Sequence, residues 1–406
     1  MVQMKKNIVI FSEEYSKITK GMFNVWKSHA QEASRNKNVS IILNREHWGF
    51  VECREFFQDN SNVIVVKLPF YMIRTFFNKI TSSGNNFLFR AFAILVELLS
   101  TFFLAPFFII FLTFYLRRQR IDVIYSHNGG WPGGPLCRWI ILAAMFAGVQ
   151  RRVFIVHSHP SKHTKFILRI VYTPLNFIQA RIIDFSATSI VTVSESVKRE
   201  LENEIFKKPI ERIYNGINLS NPDNYKPTLD WSPTSDSVIG FVGALYPYKG
   251  AHVLLDAFRE IQLKCELVFL GPGEPRYLSL LKTKSELCNN KVSFLGFHPD
   301  VESFMAKINI LVVPSIAYES FGLVILEAMK NKKPVVCSNY GGMKEVVDDG
   351  VTGFVVESSN AKMLADVLIK LLSDKALQQK MGNAGFNRLM STFTAEKMES
   401  EYDKLS

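Results

Sequence analysis

Residues 312–336 read VVPSIAYESFGLVILEAMKNKKPVV, and this stretch decides how the chain is understood. It opens as a short apolar, β-branched run and stops at Pro314-Ser315. After a brief loop it continues as a helix beginning near Phe321-Gly322. A strand that passes through a loop into a helix is the building unit of a parallel sheet. Free amide N–H groups around Gly322, Leu323 and Val324, added to the helix dipole, favour a bound diphosphate. Gly322 lets a phosphate come close to the backbone. Glu319 stands just before the helix, where it can accept hydrogen bonds from sugar hydroxyls. Glu327 lies four residues after Leu323 on the same face, within reach of a ribose diol. An anion cradle flanked by two carboxylates suits a nucleotide sugar, whose diphosphate is the anion and whose hydroxyls are the donors.

The same alternation runs outward in both directions. In the first half, strands are predicted over 7–12, 39–43, 63–67, 122–126, 152–157 and 189–193. In the second half they fall at 238–243, 267–271, 292–295, 308–313 and 334–338. Residues 221–237, NPDNYKPTLDWSPTSDS, are rich in Pro, Asn, Asp and Ser and read as a linker. A chain of 406 residues, 48% of them apolar, is long enough for two cores. The expectation is an α/β protein of two doubly wound Rossmann-like domains facing across a cleft. Residues 1–215 form the first domain and 216–380 the second, with a C-terminal helix over 381–406 returning toward the first. Ligands of such sheets sit beyond the carboxyl ends of the strands.

ESFGLVILEA at 319–328 resembles the EX7E signature of the family 4 retaining glycosyltransferases, which have the GT-B fold. FVGALYPYKGAHVLLDAF (241–258), FLGPGEP (269–275), VSFLGF (292–297) and PVVCSNYGGMKEVVDDGVTGFVV (334–356) match that family in order and spacing, and RIYNGIN (212–218) resembles its linker element. The likeness is strong over 190–375. Before that it rests on strand order, Gly21, DVIYSH (122–127) and VHSH (156–159).

The resemblance implies that Lys249 neutralises the donor diphosphate, with the Gly322 and Leu323 backbone completing the cradle beside Gly243 and Phe321. It implies that Glu319 binds the sugar and Glu327 the ribose, and that backbone near Phe297 meets the base. It implies no metal and no cofactor, and retention of anomeric configuration. The family often has an arginine after the glycine equivalent to Gly243; here Ala244 stands there, so Lys249 carries the diphosphate with less help unless Arg212 contributes. The turn-type sequence DDG at 348–350 reads as a turn and not as a metal site.

Charge is distributed unevenly. Residues 1–215 carry 28 Lys/Arg against 15 Asp/Glu, while the remainder carries 20 against 22. A basic first half implies an anionic partner. No aromatic-interleaved basic motif is present, which disfavours nucleic acid. The five cysteines are scattered without ligand spacing and read as reduced core residues of a cytoplasmic protein. Residues 91–116 read AFAILVELLSTFFLAPFFIIFLTFYL and are followed by RRQR. That length would span a bilayer. Pro106 divides it, however, Glu97 interrupts it, and strands of one sheet flank it. A monotopic or re-entrant helix pair, anchored by the arginines on anionic headgroups at the cytoplasmic face, is one expectation. An unusually apolar buried helix is the other. His127, His157, His159 and His163 gather around two strand ends. His127 and His159 are the choices for the cleft edge, His127 in a catalytic role and both, with Gly21, for the acceptor.

Together these readings anticipate a sugar transferase. It takes a nucleotide-sugar donor, UDP-sugar first and GDP-mannose next, to a lipid-linked or polysaccharide acceptor at a membrane. A nucleotide-sugar-binding subunit without catalysis, or a nucleotide-sugar epimerase, are the rivals.

Overall fold

The computed structural model describes residues 5–13, 20–44, 47, 49–68, 87–159, 166–219, 225–317 and 319–405. The chain divides into two compact units. One comprises Met1–Val193, Val197–Ile213 and Glu399–Ser406; the other comprises Ser194–Ser196 and Tyr214–Met398.

The first unit is built on β1 (Asn7–Ser12), β2 (Asn38–Leu43), β3 (Val63–Lys67), β4 (Val123–Asn128), β5 (Arg151–Val156), β6 (Ser189–Thr192) and β7 (Ile210–Arg212). They lie in the order β3-β2-β1-β4-β5-β6-β7, and every pairing is parallel. Central strands such as NIVIFS are apolar on both faces because helices cover both sides of a parallel sheet. The strand order runs outward in both directions from the β1/β4 pair, where Ser12 faces His127. Right-handed crossovers then place the helices of the two halves on opposite faces. The helices Phe87–Gln119, Pro135–Ala147 and Phe166–Ser186 accordingly pack side by side on one face.

The second unit carries β8 (Val238–Val242), β9 (Glu266–Leu270), β10 (Lys291–Gly296), β11 (Ile310–Val313), β12 (Val335–Ser338) and β13 (Gly353–Val356). Their order, β10-β9-β8-β11-β12-β13, again parallel throughout, puts the switch point between β8 and β11. Each unit has its own apolar core. Two strands escape the sequence reading, β7 and β13. They are three and four residues long at sheet edges, too short to show a period.

The apolar segment departs from the expected helix pair. Phe87–Gln119 is one helix with Pro106 inside it. Phe108, Leu112 and Leu116 pack into the core, and the helix lies along Pro135–Ala147. This packing supports a continuous helix through the proline despite the lost hydrogen bond. The side chains of residues 91–102 lie outside the described residues. Among the described residues no helix is long and apolar enough to cross a membrane.

The buried-helix alternative is met only on one side. Phe103, Phe107, Ile110 and Phe114, spaced four, three and four apart, form an exposed stripe that leads to the exposed Arg117, Arg118 and Arg120. Phe146 on the neighbouring helix is exposed as well, as are Phe177, Ile178, Ile182 and Phe185 on the next. A groove of about 400 Å³ between the first two helices is lined by Pro106, Ile109, Ile110, Thr113, Phe114 and Phe146.

Candidate functional site

At the switch point of the second unit, chain geometry forces a cation and a carboxylate together. β8 leads through Gly243 and the buried Ala244 to a single 3-10 turn, Pro247–Lys249. The Tyr248 carbonyl accepts hydrogen bonds from the Ile316 amide at 2.8 Å and the Ala317 amide at 3.3 Å. The lysine turn is thereby tied to the loop that follows β11. Gly250, at φ 72°, lies against Pro314 where that loop begins.

The Lys249 ammonium donates to the Glu319 carboxylate, and the Ser315 hydroxyl reaches the same oxygen at 3.3 Å. Burial alone would lower the lysine, but the adjacent Glu319 charge and its hydrogen bond leave it above its ordinary value. Lys249 is therefore a fixed positive charge at neutral pH. The Ser338 hydroxyl donates to the Ser315 carbonyl and holds the loop from β12.

The helix Leu323–Lys330 starts where the sequence places it, with Gly322 as its N-cap at φ 84°. A Cβ on Gly322 would stand 2.8 Å from Ile325 Cδ1, and the positive φ is a conformation that side chains disfavour, so glycine suits this entry. The Ile325 amide bonds back to the Gly322 carbonyl at 2.8 Å, while the Leu323 and Val324 amides ahead of it have no intrahelical acceptor. Phe321 is not at the ligand surface: it is 3% exposed and packs with Tyr214 and Phe393, ring centroids 5.8 Å away in each case. Its role is to seat the loop from beneath.

Glu327 lies on the same helix, and its carboxyl is pushed up to about 7, first by burial and then by Glu302, with Lys330 opposing. Glu302 itself accepts from Lys330 at 3.2 Å and from Asn331 at 3.1 Å. Phe297 follows β10 and is 55% exposed. Among the described residues no group of three or more His, Cys, Asp or Glu is arranged to hold a metal ion.

In the first unit, the residues expected at the cleft edge behave differently. His127, expected to be catalytic, is fully buried inside β4. Its Nε2 is 3.4 Å from His29 Nδ1, and its Nδ1 is 2.8 Å from His157 Nε2. Both nitrogens are thus committed to neighbours, and His127 has no surface to offer a ligand. His157 and His159 point to different partners. His157 turns inward to His127, while His159 Nδ1 lies 3.1 Å from Glu200 Oε2. Gly21 lies in the first turn of the helix Lys20–Ala33, Arg212 ends β7, and His163 lies outside the described residues. His29 carried no sequence signal, because a single histidine on a helix looks the same whether buried or exposed.

Two Rossmann-type parallel sheets, one with a lysine–carboxylate pair beside a glycine-capped helix start, define the GT-B class of glycosyltransferase architecture. The fold matches Anabaena HepE, solved in complex with UDP, with a TM-score of 0.69 over 99% of both chains at 18% identity. Residues 81–221 match the family model Glycosyltransferase Family 4, and residues 231–388 match Glycosyl transferases group 1. The chain belongs to this family of glycosyltransferases. An uncharacterized glycosyltransferase of Methanocaldococcus jannaschii is 31% identical over 54% of this chain and 61% of its own. The capsular polysaccharide biosynthesis glycosyltransferase CapM of Staphylococcus aureus is 28% identical over 56% and 64%. The chain therefore spans a little under two thirds of the length of these curated relatives.

Proposed function

We propose that this protein transfers a glycosyl group from a nucleotide-sugar donor to a lipid-linked glycan acceptor presented at a membrane, in the synthesis of a surface polysaccharide. The Lys249–Glu319 pair at the mouth of the Gly322-capped helix carries the reading. A diphosphate arriving at the helix start competes for the lysine ammonium and offers it two negative charges in place of one. Lys249 then turns to the phosphates with the Gly322 and Leu323 amides, and Glu319 is released to accept hydrogen bonds from sugar hydroxyls. As the glycosidic bond to the leaving diphosphate breaks, these preorganised donors stabilise the growing charge without a metal. Retention of configuration follows from the family resemblance.

UDP is the nucleotide to test first, because Anabaena HepE shares the fold and was solved with it. The polysaccharide reading is supported by the Staphylococcus relative, a glycosyltransferase of capsular polysaccharide biosynthesis. The membrane reading is supported by the basic first half of the sequence and by the uncovered apolar stripe of Phe103, Phe107, Ile110 and Phe114 leading to Arg117, Arg118 and Arg120. Apolar side chains entering the acyl boundary beside arginines at headgroup level is how a monotopic helix seats on an anionic leaflet. The protein would then work at the cytoplasmic face of the membrane.

The deciding experiment incubates the purified protein with labelled UDP-sugars and a lipid extract. Label is expected in the organic phase and is expected to vanish with Glu319→Ala. Transfer confined to water-soluble acceptors would remove the lipid acceptor, and a Glu319→Ala variant of unchanged turnover would remove the transferase reading.

A further inference from the structure

The groove between the helices Phe87–Gln119 and Pro135–Ala147 has the chemistry of a hydrocarbon site. Pro106, Ile109, Ile110, Thr113 and Phe114 line it from the first helix and Phe146 from the second. The five positions recur at three and four residues, so they make one continuous face of that helix. Thr113 carries the hydroxyl of this lining. It donates to the Ile109 carbonyl at 2.7 Å, with the Ala143 carbonyl 3.3 Å away, so the lining offers an occupant no side-chain donor. A peptide or a sugar placed here would lose water without gaining hydrogen bonds; an alkyl chain has no such groups to satisfy. The volume of about 400 Å³ falls within the roughly 300–1,000 Å³ of small-ligand sites.

The same face ends in a cation. Arg117 is its next position, four after Thr113 and three after Phe114. The guanidinium donates to the Phe146 carbonyl at 2.7 Å, which places it at the end of the groove. Its side chain is exposed, as are Arg118 and Arg120 beside it. Residues 103–120 and 135–147 contain no Asp or Glu, so neither stretch sets a carboxylate against an anion. From Pro106 to Arg117 the helix rises about 16 Å. That is close to the roughly 15 Å of one leaflet, half of a bilayer's hydrocarbon core.

Topology sets this groove apart from the sugar chemistry. The first helix runs into β4 at Val123 and the second into β5 at Arg151, so Arg117 and Phe146 lie toward the amino edge of the sheet. Substrates of doubly wound sheets bind at the opposite, carboxyl edge. The occupant is therefore a lipid of the membrane itself and not the acceptor brought for reaction.

We propose that this groove is a phospholipid site: one acyl chain of an anionic phospholipid lies between the two helices from Pro106 to Phe114, with its phosphate on Arg117. The exposed Phe103 and Phe107 of the same helix, and Phe177 and Ile178 of the helix Phe166–Ser186, then meet the neighbouring lipids. The site rests on the membrane reading given above, and not on sugar transfer. It goes beyond that reading, because surface insertion alone needs no lipid of defined charge held within the protein.

The test uses the full chain with vesicles of phosphatidylcholine, alone or mixed with phosphatidylglycerol that carries a photoreactive diazirine midway along one acyl chain. After irradiation, mass spectrometry is expected to find the label on Ile109, Ile110, Thr113 or Phe146. Thr113→Phe and Ile110→Phe each fill the groove while adding apolar surface, and the second stands in if the first does not fold. Either is expected to cut labelling there about tenfold without loss of total vesicle binding. Arg117→Gln is expected to weaken binding to the anionic vesicles about fivefold, the contribution of one arginine, and to leave the neutral ones unchanged.

Label confined to Phe103, Phe107 or the helix Phe166–Ser186, or undiminished by groove filling, would overturn the site and leave the membrane reading in place. Cross-links between two copies through Ile110 or Phe146 would overturn it too, giving the groove to a second chain. A wild-type protein that binds neither kind of vesicle would remove both readings. One that is labelled as expected but transfers no sugar would keep the lipid site and lose the transferase function proposed above.

Discussion

Gly250 and Pro314 are in backbone contact so close that a Cβ on Gly250 would stand 2.0 Å from the Pro314 carbonyl oxygen. This contact joins the turn after β8 to the end of β11 and fixes Lys249 beside Glu319. Gly250→Ala adds a side chain at φ 72° as well as at a closed contact. It is expected to destabilise the protein by about 2 kcal/mol and to weaken UDP-sugar binding by about tenfold. Denaturant unfolding and a UDP titration measure the two effects. Normal affinity in a destabilised variant would show that the turn does not place Lys249.

Lys249 and Glu319 act on one another before they act on a ligand, so their removal should not be additive. Glu319→Gln and Lys249→Met are each expected to lower kcat/KM by about 10² or more. The double variant should fall well short of the product of the two losses. Independent losses would mean that the pair is not broken and re-used during turnover.

Glu327 gives a pH dependence of definite sign. Its folded-state value near 7 lies above the ordinary 4.5, so the folded chain holds a proton that the unfolded chain releases. Stability from this group is full below about 4.5 and is lost as pH rises through about 7. Glu327→Gln should therefore be more stable than the wild type at pH 8, by roughly 1–3 kcal/mol, and close to it at pH 5. If Glu327 binds the donor ribose as proposed, nucleotide-sugar affinity of the wild type should rise over the same interval as its carboxylate becomes charged, and the variant should lack that rise. Melting temperatures and titrations at pH 5, 6.5 and 8 check both.

Two neighbouring positions on one helix separate packing from docking. Leu112 is fully buried, and Leu112→Ala should cost about 2–4 kcal/mol. Phe114 is 67% exposed, and Phe114→Ser should change stability by no more than about 0.5 kcal/mol while reducing recovery on anionic vesicles. Equal vesicle binding by wild type and a Phe107→Ser/Phe114→Ser double variant would remove the membrane role of the stripe.

The candidate site of the second unit was legible because its parts are close in sequence. The strand, glycine, helix and two acids between residues 312 and 336 share one local geometry, and Lys249 entered through a motif with its own order. Phe321 was misplaced because adjacency to Gly322 says nothing of inward or outward orientation, which the rings of Tyr214 and Phe393 decide. Pro106 suggested a break, yet tertiary packing against the Pro135–Ala147 helix preserves a single helix.

By itself the sequence determined the two Rossmann-like sheets and the Gly322-capped helix start, since hydrophobic period and local backbone chemistry act over a few residues. Only the tertiary structure decided which polar groups meet. Glu399 and His29 are 370 positions apart with no motif between them, and their pairing exists because the C-terminal helix packs beside His29 where both side chains are buried. There a buried carboxylate must find hydrogen-bond donors, and Lys37 and His29 supply them.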